Sequence, residues 1–141
     1  MSDTSDDLGG LLMQATRGMR RRWAEALEPV GISPHEFRAL ATIDRTENAR
    51  VGVVAQELRI TPRSATEVID ALERATLVTR EPDPTDRRAV VVRLTDHGRA
   101  VLATAGAARR ASQEAHLAGL DEAEREQLAA LLRRVLETSG D

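Results

Sequence analysis

Two groups of side chains in this sequence have types and spacing suited to contacting a polyanion. Asp86, Arg87 and Arg88 close the stretch EPDPTDRR, and Thr61, Arg63, Ser64 and Thr66 lie together in ITPRSAT. A guanidinium is planar, permanently charged and able to fork onto a phosphate or a base edge, and hydroxyls bond to either. Other chemistry is poorly supplied. The absence of cysteine excludes disulfides, zinc-thiolate sites and thiol redox sensing. There is no glycine-rich phosphate loop and no serine with a base beside it. His35, His97 and His116 are scattered, and the first two fall at the second position of a helix start, where they read as solvated surface residues. No catalytic residue, metal site or cofactor is expected, so an enzyme is not the reading.

The arginine pair belongs to a hairpin running from Leu77 to Gly98. Its second arm alternates as a half-buried strand does, with Val90, Val92 and Leu94 on one face and Val91 and Arg93 on the other. Leu77 to Glu81 supplies the opposing strand. Pro82 and Pro84 withhold backbone donors, so the ladder is expected to open there into an extended loop with Asp86, Arg87 and Arg88 at its end. An apolar hairpin holding arginines away from the body suits a nucleic-acid backbone, with a guanidinium reaching into a narrow minor groove. A solvated turn is the plainer reading, and the hairpin alone does not separate the two.

The second group opens a helix. Thr61 and Pro62 form a cap-then-proline start to a helix reaching about Ala75, on which Ala65, Val68, Ile69 and Leu72 face inward. Arg63, Thr66, Glu67 and Asp70 face outward. A short helix over Val51 to Leu58 precedes it, and the pair with its tight turn reads as a helix-turn-helix. An exposed first turn of Thr, Arg, Ser and Thr is what such a helix presents to base edges, although an ordinary amphipathic helix looks similar.

Before these elements, the polar, acidic residues 1–7 are expected to fray. Helix one follows from Leu8 to Glu28, with Leu8, Leu12, Ala15, Met19, Trp23 and Ala26 in one stripe, ended by Pro29 and Gly31. Ser33, Pro34 and Glu36 set a capping box for helix two, to about Thr46. After the hairpin, Thr95 caps a helix to about Ala118, and Asp121 with Glu124 starts a last one to about Thr138. That last helix aligns Leu128, Leu131, Leu132, Val135 and Leu136. Its stripe and that of helix one both lack a partner, so both chain ends are expected to form a homodimer interface.

At 141 residues and 41% hydrophobic, the chain is long enough for one unit with a real core. Trp23 and Phe37 are its sole aromatics, which leaves a core of Leu, Val, Ile and Ala. A net charge of −3 argues against a polyanionic partner, but the sign varies along the chain. Residues 50–99 hold nine Arg against eight Asp and Glu, while both flanks have an acidic excess. Every basic side chain is Arg. No signal peptide and no apolar run near the roughly 20 residues of a membrane span is present, so a soluble, cytoplasmic protein without a membrane partner is the default.

With these parts in order, the chain resembles the MarR family of regulators from Leu8 to Val135. DPTDRRAVVVRLTDHG resembles that family's wing and wing exit, VVAQELRITPRSATEVIDALERATLV its helix-turn-helix, and GISPHEFRAL the start of its second helix. The resemblance implies a mainly α fold with a small β-hairpin wing, a winged helix-turn-helix over 33–95 and dimerisation helices over 8–28 and 96–138. It implies a two-fold dimer on a pseudo-palindromic double-stranded DNA operator, acting as a repressor released by a small ligand. Arg88 would then enter the minor groove with Asp86 orienting it, Arg87 would lie beside it on the wing, and Arg63, Ser64 and Thr66, with Thr61 at the leading edge, would face the major groove.

Two positions depart from the pattern. Glu67 stands where many relatives carry a basic residue, which puts a contact there in question. Thr76 replaces the usual Gly at the end of its helix, so either the turn differs or strain is tolerated. Family effectors are often small aromatic acids or phenols; Trp23, Phe37 and Arg22 could line such a site or could serve packing. A winged helix that binds protein rather than DNA is the alternative, and salt dependence separates the two.

Overall fold

The computed structural model describes residues 7–140, in which α1 (Leu8–Leu27) is followed by a 3₁₀ turn (Glu28–Val30), α2 (Pro34–Arg45), α3 (Val51–Leu58) and α4 (Pro62–Arg74). Strands β1 (Val78–Asp83) and β2 (Asp86–Leu94) then form an antiparallel hairpin, and α5 (Asp96–His116) and α6 (Glu122–Ser139) complete the chain. The fraying expected over residues 1–7 concerns mainly 1–6, outside the described residues. Asp7 itself is ordered by a specific role, accepting the Gly9 N–H as N-cap of α1.

Local signals set the remaining helix ends. Pro29 lies within the 3₁₀ turn, and Gly31 follows in the left-handed region at φ 82°. Ser33, Thr61, Thr95 and Asp121 cap α2, α4, α5 and α6, and Ser33–Glu36 and Asp121–Glu124 are reciprocal capping boxes. Leu40, Val54, Ile69, Leu72, Val78 and Val92 are fully buried where α2, α3, α4 and the hairpin meet. Each such side chain contributes about 1.5–3 kcal/mol relative to exposure. Leu27 and Ala105 bring α1 and α5 onto the same core.

Three turns in this lobe use left-handed residues that are not glycine, the first being Asn48, at φ 54°, between α2 and α3. Arg59, at φ 55°, ends α3, with the Ile60 N–H bonded back to the Ala55 carbonyl. At the end of α4, Thr76 has φ 62°, its N–H reaches the Glu73 carbonyl, and the Leu77 N–H reaches that of Leu72. This is the Schellman arrangement that glycine usually serves, kept here with a β-branched residue. The strain is therefore tolerated rather than avoided. Thr95 braces the turn, its hydroxyl donating to the Thr76 carbonyl at 2.7 Å and its N–H to that of Leu77 at 3.0 Å.

The hairpin corrects two expectations. Its ladder does not open at Pro82, which pairs with Val90, and it resumes where Asp83 pairs with Asp86. Between those pairs β1 advances one residue and β2 four, so Arg87, Arg88 and Ala89 form a bulge. The arginines thus lie at the start of a strand, not in an extended loop; proline is accommodated because a bulge lacks a regular ladder. The simple alternation also fails, since Val91 and Val92 are both buried whereas Val90 is exposed. The Val92 N–H donates to the Ala49 carbonyl at 2.7 Å, so the α2–α3 turn takes part of the strand's outer side.

Helix α1 lies along α5, where a Cβ on Gly18 would sit 3.0 Å from the His116 ring. The His116 Nε2 donates to the Ala15 carbonyl. Helix α6 is held mainly at its start, by Arg125 bonded to Glu114 and to the carbonyls of Leu117 and Leu120. Beyond that point Leu131, Leu132, Val135 and Leu136 remain exposed, as do Leu8, Leu11 and Leu12 of α1. Leu8, Leu12, Leu128, Leu131, Leu132 and Val135 line one groove of about 570 Å³. Among the described residues no helix is long and apolar enough to cross a membrane.

Candidate nucleic-acid interface

Helix α4 presents its first turn outward. Thr61 Oγ1 accepts the Ser64 N–H at 3.1 Å and donates to Ser64 Oγ, while the Thr66 hydroxyl donates to the Pro62 carbonyl. These hydroxyls therefore also serve to build the helix start. Arg63 has a side chain 90% exposed, and its Nε lies 3.5 Å from Glu67. An exposed i, i+4 pair of this kind is worth about 0.3–0.5 kcal/mol, too little to hold the guanidinium against a stronger anion. Glu67, which departs from the family pattern, thus acts on Arg63 rather than making a basic contact of its own.

On the hairpin, Arg87 and Arg88 are exposed, and among the described residues neither guanidinium has an ion-pair partner. Asp86 accepts the Arg88 backbone N–H at 3.0 Å, so it shapes the bulge rather than gripping the side chain. Asp83, buried and absent from the sequence-based candidates, accepts the Thr85 N–H and hydroxyl, both at 2.8 Å, and bonds to Arg50. The Thr85 bonds, then Arg50, hold its carboxyl at about 2, below its ordinary value. A carboxylate followed by proline and threonine is a legible Asx-turn signal. Arg50, 33 positions earlier, offers no local clue to that pairing.

The two presenting elements are tied together. Arg80 on β1 bonds to Asp70 at 2.6 Å and Glu73 at 2.7 Å, both on α4. Partial burial opposes its charge, but the hydrogen bond and charge of Asp70 and the neighbouring Glu73 outweigh this, and its pKa is raised. Asp70, assigned from the sequence to the outward face, is therefore a bridge to the hairpin. The reason is that β1 folds back beside the end of α4, a juxtaposition helical periodicity does not encode.

The second candidate region lies at the junction of α1, α2 and α5. Trp23 and Phe37 meet edge to face with centroids 5.7 Å apart, and the Arg109 guanidinium lies 5.1 Å from the Trp23 centroid and 5.7 Å from that of Phe37. The Trp23 Nε1 is buried without a hydrogen-bond partner. Trp23 borders a cavity of about 580 Å³ that Arg20, Arg109, Ser112 and His116 also line. Arg22 is not brought to it; it lines a separate groove with Arg17 and Arg21. Among the described residues no three His, Asp or Glu side chains converge to hold a metal ion.

Comparison with known proteins fits this architecture. The MarR family profile matches residues 32–90, from α2 to the first half of β2. An uncharacterised HTH-type transcriptional regulator of Mycobacterium leprae is 34% identical over 110 residues, covering 78% of this chain and 72% of the relative. The chain belongs to the MarR family. Its fold is the MarR winged helix: wild-type Escherichia coli MarR is 26% identical, with a TM-score of 0.79 over 93% of this chain and 98% of that one. The MarR family protein Rv2887 of Mycobacterium tuberculosis, named an HTH-type transcriptional repressor, is 27% identical over 128 residues, 91% of this chain and 92% of its own. Its structure in complex with DNA matches with a TM-score of 0.78 over 93% and 98% of the two chains, and its complex with salicylic acid with 0.73 over 94% and 98%.

Proposed function

We propose that this MarR family member is a DNA-binding transcriptional regulator that works in the cytoplasm as a two-fold dimer, repressing from a pseudo-palindromic operator. The observation that carries this reading is the pairing of an outward Thr–Arg–Ser–Thr helix start with a bulge that presents Arg87 and Arg88 without ion-pair partners. Residues 33–95 form the DNA-binding lobe. Within it, α4 contributes Thr61, Arg63, Ser64 and Thr66 to the major groove, and the wing contributes Arg87 and Arg88, shaped by Asp86, to the minor groove. The apolar groove between α1 and α6 is covered by a second copy, which makes 8–28 and 96–138 the dimerisation segments. The activity is binding rather than catalysis.

A small aromatic acid is the proposed effector. The reading is supported by the buried Trp23 Nε1, a donor without a partner, and by Arg109, a cation beside two aromatic rings that could meet a carboxylate. The salicylic acid complex of Rv2887 supports the same ligand class.

Enrichment of bound sequences from a random DNA pool, followed by affinity measurements across salt concentrations, tests the DNA reading. A palindromic consensus bound with a steep inverse salt dependence is expected. No enriched sequence, or affinity insensitive to salt, would transfer support to a winged helix that binds protein, the reading its net charge of −3 favours.

A further inference from the structure

The α2–α3 turn runs alongside the hairpin as a strip of three residues. Asn48 Oδ1 accepts from Arg93 Nη2 at 2.9 Å, the Ala49 carbonyl accepts the Val92 N–H at 2.7 Å, and Arg50 forks onto Asp83 with Nε at 2.9 Å and Nη2 at 2.5 Å. The first two bonds lie along the body of the strand. The third reaches the turn itself.

At that point the two Asp83 oxygens divide their work. Oδ2 takes both Arg50 donors, while Oδ1 takes the N–H and hydroxyl of Thr85, so one buried carboxylate closes the turn and fastens it to the N-cap residue of α3. The Asp83 side chain is 1% exposed against 45% for Arg50. Arg50 Nη2 also lies 4.0 Å from Asp86 Oδ2, and Asp86 Oδ1 holds the Arg88 N–H. An unbroken path of charged hydrogen bonds and close charge pairing thus leads from the helix-turn-helix to the backbone of the bulge.

We propose that Arg50 and Asp83 are positioning residues for DNA binding: their ion pair fixes the wing turn to the start of α3, so that the bulge carrying Arg87 and Arg88 meets DNA already oriented. This rests on the reading of the wing as a DNA contact. A tip ordered in the free protein avoids an entropy loss that a loose tip would suffer on binding. The sign of the charge effect makes the inference testable. Asp83→Asn removes a negative charge close to a polyanion, so charge alone would tighten binding. Loss of the positioning contact weakens it.

The test is a double-mutant cycle of Asp83→Asn with Arg88→Ala, read by fluorescence anisotropy on a duplex that the parent protein enriches from random-sequence DNA. Asp83→Asn is expected to bind roughly tenfold more weakly, the size of one lost arginine contact. It should also lower the salt slope by about one, as loss of the Arg88 contact would. The double variant should lose clearly less affinity than the two single losses combined, because both changes remove the Arg88 contact. Unchanged or tighter binding by Asp83→Asn overturns the proposal, and so does a loss that adds in full to that of Arg88→Ala. If Arg88→Ala itself binds like the parent, the wing reading has failed and the positioning role falls with it. Should Asp83→Asn lose its native circular dichroism, Arg50→Lys carries the same cycle, since an ammonium keeps the charge but cannot fork.

Discussion

A Cβ placed on Gly98 would lie 2.0 Å from the backbone carbonyl oxygen of Leu77. The first turn of α5 therefore crosses the end of the α4–β1 connection in direct backbone contact, and neither side has a flexible side chain that could give way. The same Leu77 oxygen accepts the Thr95 N–H, and Thr95 Oγ1 accepts the Gly98 N–H, which closes a small ring of bonds around the wing exit. Gly98→Ala is expected to destabilise the fold by about 1–3 kcal/mol, as overpacking does. Urea unfolding would show this as a lower midpoint; a midpoint equal to the parent's would mean that the crossing is not fixed.

That crossing shows what the sequence does and does not disclose. The caps at Ser33, Thr61, Thr95 and Asp121 were legible because each acts on a backbone N–H within three positions, and the β-branched run from Ala89 to Leu94 marked the hairpin. Contacts between elements were not. Arg50 finds Asp83, Arg80 finds Asp70, and Arg109 finds Trp23 through turns whose angles no local pattern records. Trp23 and Phe37 could be singled out as the sole aromatics and do meet, whereas Arg22, adjacent to Trp23 in sequence, points to another groove of α1. The wing misled for a related reason. Pro82 and Pro84 signal a break in pairing, but the break is taken up by three extra residues on the facing strand.

The buried turn carboxylate makes stability depend on acid. The Asp83 carboxyl titrates at about 2 in the folded protein, below the roughly 3.9 of an unfolded aspartate. A depressed folded value means that the stabilisation is complete above the unfolded pKa and is lost as pH falls from about 4 towards 2. Asp83→Asn should therefore show a shallower decline of urea midpoint over that interval. Parallel declines would remove Asp83 from the acid response.

The apolar stripe of α6 yields a prediction about assembly. Leu131 and Val135 are about half exposed beside Leu8 and Leu12, too large an apolar surface to leave in water. Leu131→Glu combined with Val135→Glu is expected to convert a dimer into a monomer, whereas deletion of residues 121–141 should leave a poorly soluble or unfolded chain, and a stable, soluble monomer from that deletion would count against the interface. Light scattering on the eluting peak reads the mass. A dimer that survives both changes would place the interface elsewhere.

Trp23 is the sole tryptophan, so its fluorescence reports on one place in each chain. Sodium salicylate added to the free protein is expected to quench it saturably and to weaken DNA binding over the same concentration range. Arg109→Ala should reduce both effects by removing the cation beside the two rings, whereas Arg22→Ala, in the other groove, should leave them near the parent's. Equal responses from all three proteins would exclude the Trp23 cavity as the salicylate site.

The two reading elements should fail in different ways. Arg88 lies on a bulge of the wing, where the minor groove offers a degenerate pattern and its width matters more than its sequence. Arg88→Ala should weaken binding to many sequences together and reduce the salt slope by about one. Arg63, nine-tenths exposed on the first turn of α4, is proposed to meet a base edge in the major groove, where a good bidentate contact is worth roughly 1–3 kcal/mol of discrimination. Arg63→Ala should therefore relax specificity at one position, and two-fold symmetry requires both half-sites, with centres about 34–36 Å apart, to lose it together. Glu67→Gln adds a control: it frees Arg63 from its weak partner and removes a negative charge, so binding should tighten while the preferred base at that position stays the same. A panel of single-base operator variants, measured for all three proteins across salt concentrations, separates these outcomes. If Arg63→Ala lost affinity evenly over the panel, Arg63 would be a phosphate contact, and base reading by α4 would have to come from Ser64 and Thr66.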